Sequence, residues 1–140
     1  MSLSLVQSRA LLGLEAASVT VEVHLANGLP SFTLVGLAET EVKEARERVR
    51  SAIQNAGLEF PHNKRITVNL APADLPKEGS HFDLPIALAL MAAMGVIAPD
   101  ALDGWAAIGE LGLDGQIARV GGALPAAVAA DAMGPVSYTH

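Results

Sequence analysis

Residues 66–95 read ITVNLAPADLPKEGSHFDLPIALALMAAMG. Ile66, Val68 and Leu70 alternate with Thr67, Asn69 and Ala71, the period of a strand with one buried face. From Leu84 to Met94 the chain is apolar on every side, which fits a helix enclosed by other elements. Asp83 stands where an N-cap is expected, and Pro85 suits the first turn. Between strand and helix runs a polar loop, 72–82, stiffened by Pro72, Pro76 and Gly79. A strand and an enclosed helix require a sheet with helices packed on it. The loop joining them presents Pro76, Lys77, Glu78, Gly79 and Ser80, with Lys77 expected to point outward.

The flanking segments agree with that architecture. Val19, Val21, Val23 and Leu25 alternate with polar or small residues, as in a half-buried strand. Asn27-Gly28 is a hairpin signal, so Ser31–Val35 is expected to return beside that strand. Leu3–Leu14 supplies a further strand. In 39–56 the period changes: Val42, Ala45, Val49, Ala52, Ile53 and Ala56 share one helix face, and Gly57 suits the C′ position. Trp105–Glu110 and Gln116–Val120 read as two strands joined at Leu113-Asp114-Gly115, before a last helix over Ala123–Met133. The order is that of an α+β fold, a mixed sheet with helices packed on it.

The 140 residues are enough for one domain with a real core. Hydrophobic residues make up 51% of the chain and aromatics 4%, so the core is built from Ala, Leu, Val and Ile. A formal net charge of −6 repels nucleic acid overall, and DNA contact would need a local basic patch. With no Cys, disulfides and thiolate metal sites are excluded. The first residues lack a secretory n-region and h-region, and the longest apolar run is too short to span a bilayer, so the expected location is the cytoplasm. After Gly134 the segment PVSYTH has neither periodicity nor capping logic. Residues 1–134 are therefore read as the native domain and 135–140 as a non-native tail.

Little catalytic chemistry is on offer. No Gly is followed by Lys, so the phosphate-binding Gly-Lys-Ser/Thr loop is absent from these residues. The His residues at 24, 62, 81 and 140 lack paired metal-ligand spacing, and no metal site is expected. On 39–56, Lys43, Arg46, Arg48 and Arg50 alternate with Glu41, Glu44 and Glu47, the pattern of a solvated face with i,i+4 pairs. Yet with Lys64 and Arg65 they hold every cation but Arg9, Lys77 and Arg119. The candidate contacts for DNA or a neighbouring subunit are Lys77, Lys64, Arg65, Arg46 and Arg50. Asn69 and Trp105 are read as structural.

The loop and helix, with the later GELGLDGQIARVGGALPAAVAA, resemble the proteolytic domain of Lon-type proteases. That family carries Lys-Asp-Gly-Pro-Ser-Ala-Gly with a Ser nucleophile, then Gly-Gly-Leu-Lys with a Lys base. Here the nucleophile position falls on His81, Ser80 lies one residue early, and the base position is Leu124. No Lys follows Lys77, so the Ser hydroxyl lacks its activating amine. No catalytic residue is assigned. A residual Ser80-dependent peptidase and a pure protein-interaction scaffold remain as alternatives.

A wider resemblance covers nearly all of 1–134. TVEVHLANGLPSFTLVGLAETEVKEARERVRSAI and KRITVNLAPADLPKEGSHFDLPIALAL are similar, in order and spacing, to the N-terminal domain of the ComM/YifB family of Mg-chelatase-like AAA+ ATPases. The resemblance implies the fold of the second domain of ribosomal protein S5, shared with Lon. It also implies a downstream ATPase domain that would bind ATP and Mg, with no cofactor in these residues. Homo-hexamer assembly and DNA contact in branch migration during natural transformation are implied in the same way.

Overall fold

The computed structural model describes residues 2–12, 15–75, 77, 79–102, 106–112, 117–118 and 136–138. β1 (Ser2–Leu12) and β2 (Glu15–Ala26) form a long antiparallel hairpin, paired from Ser2↔Leu25 to Leu12↔Glu15. β3 (Ser31–Val35) leads into α1 (Glu39–Asn55), then β4 (Arg65–Ala71). A 3-10 turn over Gly79–Phe82 opens α2 (Asp83–Ala93), and a second lies at Pro99–Leu102. β5 (Ala106–Ile108), β6 (Glu110–Leu111), β7 (Ile117–Ala118) and β8 (Val136–Tyr138) complete the described elements. The main sheet has the order β3-β4-β2-β1-β5-β8, and only β2 runs against the rest. The architecture is the expected α+β one, a mixed sheet carrying helices.

One pairing differs from expectation. β3 does not fold back on β2; β4 lies between them, antiparallel to β2 and parallel to β3. The physical reason is competition for the edge of β2. β4 matches Ile66, Val68 and Leu70 against Leu25, Val23 and Val21, three apolar cross-strand pairs on the buried face. β3 has only Phe32 and Leu34 to offer. The turn signal at Asn27-Gly28 instead serves a crossover that places β3 on the outer side of β4.

Val19, Val21, Val23, Leu25, Ile66, Val68 and Leu70 form the inner face of the sheet, against Ala45, Val49, Ala52 and Ile53 of α1 and Ile86, Ala89 and Leu90 of α2. α2 packs on β1 and β2 with α1 alongside, which explains why its composition is apolar all round. On β1 the inward residues Ser4, Val6, Ser8 and Ala10 are small, facing an alanine-rich helix, and the Ser4 hydroxyl donates to the Ala89 carbonyl. Leu70 is fully buried, and Leu70→Ala is expected to cost about 2–5 kcal/mol.

α1 ends as Gly57 predicts, and a glycine not singled out in the sequence closes α2 in the same way. Gly57 has φ 85°, and the Gly57 and Leu58 N–H groups donate to the carbonyls of Gln54 and Ile53. Gly95, with φ 82°, repeats the arrangement through Ala92 and Met91. The strand expected over Trp105–Glu110 is divided: β5 joins the main sheet parallel to β1, and only Glu110 and Leu111 pair with Ala118 and Ile117 as the expected turn requires. Val136–Tyr138, within the segment read as a tail, runs parallel to β5. The helix expected over Ala123–Met133, the Gly121–Leu124 motif and Trp105 lie outside the described residues.

Candidate functional site

Two regions hold the predicted site residues, one at each end of β4. The strand's seven residues, at roughly 3.3 Å each, set those ends about 20 Å apart. Lys64 and Arg65 belong to the first, Lys77 to the second, so no single patch contains all three.

At the start of β4, a cleft of about 190 Å³ opens between α1, the head of β3 and the 60–64 turn. Ser31, Arg50, Phe60, His62 and Lys64 are among its walls. The Arg50 guanidinium lies over the Phe60 ring at 5.5 Å and is 3.6 Å from Glu47, its i−3 neighbour. Lys64 Nζ donates to Asn27 Oδ1 at 2.5 Å, and His62 Nε2 is 2.8 Å from Gln54 Nε2. Arg46 does not line the cleft. It donates to the Phe32 carbonyl at 2.8 Å and so fixes one wall. Arg65 is exposed on the first residue of β4. The structure thus brings Arg50 and Lys64 together, with Arg46 behind one wall, while Arg65 alternates with the cleft-lining Ile66 and lies on the opposite face of the sheet.

At the far end, Lys77 is turned inward, which corrects the expectation of an outward ammonium. Nζ donates to the carbonyls of Gly36 (3.0 Å), Pro72 (2.5 Å) and Leu75 (2.9 Å). Those three bonds use all its N–H groups. The loop's carbonyls converge where the chain turns away from the sheet, and a cation satisfies them without a ladder partner. Burial lowers the Lys77 pKa, while nearby Asp74 opposes the shift. Ser80 is half-buried just beyond, and Pro76 and Glu78 lie outside the described residues. An ammonium with three donated hydrogen bonds has no lone pair for a Ser hydroxyl's proton, so the peptidase alternative gains no base here.

Gly36 makes this end possible. Its φ is 102°, and a Cβ there would meet the Leu70 carbonyl oxygen at 2.3 Å. Only glycine fits this close approach of β3's exit to β4.

Asp83 requires a second correction. It is not a cap: the N-cap position is Phe82, without a side-chain cap bond. Asp83 is the first residue of α2, fully buried, and its carboxylate accepts from Arg48 Nε at 2.6 Å and Nη2 at 3.2 Å. Oδ2 also accepts from the Leu111 N–H at 3.2 Å. Nearby backbone bonding comes from Gly109, whose carbonyl accepts from Leu84 N–H and whose N–H donates to the His81 carbonyl. Desolvation pushes the Asp83 carboxyl from 3.8 up to about 6 against the pull of Arg48, and the Asp83 bond raises the Arg48 pKa. Arg48 therefore ties α1 to α2 and β6, and does not belong to a solvated face. Two residues on a helix differ by about 200°, which is why Arg48 and Arg50 serve different regions.

Phe60, His62 and Ser31 were not anticipated as parts of the site. The sequence signal available was the run Phe60-Pro61-His62, one residue ahead of Lys64-Arg65. Among the described residues, no three His, Asp or Glu side chains stand close enough to hold a metal ion. Asn69 sits half-buried on β4, opposite Glu22 of β2 and Val35 of β3. No helix among the described residues is long and apolar enough to cross a membrane.

Known proteins place this arrangement in a family. The chain is 57% identical over 130 residues to the uncharacterized protein YifB of Escherichia coli and 56% identical to the competence protein ComM of Haemophilus influenzae. An uncharacterized protein of Mycobacterium tuberculosis is 40% identical over a stretch of the same length. Each alignment covers 93% of this chain but only 25–26% of the relative, so the chain spans about a quarter of those proteins. Residues 21–137 match the family described as subunit ChlI of Mg-chelatase, and with that match over most of its length the chain belongs to this ChlI, Mg-chelatase-like family.

Proposed function

We propose that the chain is the non-catalytic N-terminal module of a Mg-chelatase-like AAA+ ATPase of the ComM/YifB type. Its role is to support ring assembly and to contact DNA. The observation that carries this reading is the 56–57% identity to YifB and ComM, together with a quarter-length span that leaves room for a separate motor. ATP and Mg would then be held by the remainder of such a protein, and a homo-hexamer would be its working form. The name of the Haemophilus relative, a competence protein, favours DNA handling during transformation, with branch migration as the motor's task. The mixed sheet with two helices on one face is compatible with the S5 domain 2-like fold, which we take as the template.

The DNA contact is assigned to the start of β4, where Arg50 and Lys64 line a cleft and Arg65 lies exposed on the other face of the sheet, in a chain of net charge −6. Lys77, held on three carbonyls, acts as a structural clamp. A titration of labelled single- and double-stranded oligonucleotides with this chain at low salt tests the contact, since phosphate attraction is then strongest. Saturable binding that weakens as salt is raised is expected; no binding at low salt removes the contact role. Sedimentation of a full-length protein with and without residues 1–134 tests the assembly role, which fails if the hexamer forms equally well in both.

A further inference from the structure

The chain carries 15 acidic against 9 basic residues, yet none of the residues lining the cleft at the start of β4 is acidic. Arg50, Lys64 and His62 stand together there, with the Ser31 residue at the lip. Glu47, outside the lining, stands 3.6 Å from Arg50 and offsets part of its charge; the wall itself carries cations without carboxylates, which favours an anion. Arg50 Nε is buried and has no hydrogen-bond acceptor among the described residues. That nitrogen is closed off from the cleft, so a ligand would meet the outer nitrogens of the Arg50 guanidinium, on a side chain that is 37% exposed. Lys64 gives one of its three N–H groups to Asn27, which leaves donors for a ligand.

The neighbouring ring narrows the ligand class. Phe60 is only 6% exposed, packed against Phe32 at 5.5 Å and beneath the Arg50 guanidinium. It holds the guanidinium in place and offers no open face for a base to stack on. Recognition would then rest on charge and oxygen geometry, which a guanidinium fork reads well in a phosphate. We propose that this cleft binds a tetrahedral phosphate oxyanion through Arg50 and Lys64, independently of base identity. The shared chemistry admits two sources, a nucleic-acid backbone phosphate or a free phosphate compound. The backbone source rests on the DNA contact proposed above, and the site itself does not.

The test is an NMR titration of the 140-residue chain, observing the Arg50 Nε–H and the backbone amides of Ser31, His62 and Lys64. One arm uses pyrophosphate and the other a short oligothymidylate. Saturable shifts at these four groups are expected in both arms. Arg50→Gln should raise the Kd about tenfold, and Arg50→Lys less, because the charge remains while the fork is lost. Lys64→Gln, at a half-exposed position that no core packing depends on, keeps the test decisive if an Arg50 variant misfolds. Pyrophosphate binding at the cleft without oligonucleotide binding supports the site and removes the DNA reading. Oligonucleotide binding that leaves the cleft unmoved, or that neither variant weakens, overturns the site and spares the DNA reading. Silence in both arms overturns both.

Discussion

At the start of β4, Arg50 and Lys64 line a cleft open to solvent; around 72–83, Lys77 and Arg48 are bound by the protein itself. The residue types are the same, and the partners decide the difference. Three convergent carbonyls use every donor of Lys77, and a buried carboxylate fixes the Arg48 guanidinium against α2. In the cleft Lys64 gives one of its three N–H groups to Asn27, and donors are left over. Basic residues near a conspicuous loop are therefore poor guides to a binding surface until their acceptors are counted.

Asp83→Ala should give the largest effect on the closed region. It leaves Arg48 without its buried partner and the Leu111 N–H without an acceptor, at a cost of about 3–5 kcal/mol in urea unfolding. Gly36→Ala comes next, about 3 kcal/mol, because a positive φ and the Leu70 carbonyl both oppose a Cβ. It should also loosen the Lys77 clamp, whose first acceptor is the Gly36 carbonyl.

Asp83 further separates the two regions by pH. Its folded pKa, about 6, lies above the ordinary 3.8, so between those values the folded protein holds a proton that the unfolded chain has lost. The group's stabilising contribution is complete below 3.8 and declines as pH rises through about 6. Asp83→Asn, which cannot ionise, should flatten this part of the stability profile. An unchanged slope would mean that Asp83 does not titrate there. Lys77→Met is smaller again, about 1–2 kcal/mol, and should leave oligonucleotide affinity as it was. The smallest stability change is expected for Lys64→Gln, under about 0.5 kcal/mol by thermal unfolding.

Periodicity made most of the fold legible. β1, β2, β4, α1 and its Gly57 end follow from spacing and local chemistry, which act within a few residues. The partner of β3 did not, because two strands competed for one edge and the better match won only in three dimensions. Asp83 before an apolar helix looks the same on paper whether it caps that helix or pairs with an arginine thirty-five positions earlier. Lys77 was legible as the loop's cation, but its direction depended on Gly36, a residue from another strand's end. Lys64, Arg65, Arg46 and Arg50 could be named from their clustering. Phe60 and His62 could not, since nothing local says that their turn faces α1.

Side-by-side oligonucleotide titrations of Lys64→Gln and Lys77→Gln over a range of salt concentrations bear most directly on which cations are available. Lys64→Gln is expected to weaken binding and lower the salt slope by about one, with folding intact. Lys77→Gln is expected to keep its affinity and melt at a lower temperature. Affinity lost in Lys77→Gln and retained in Lys64→Gln would contradict the account.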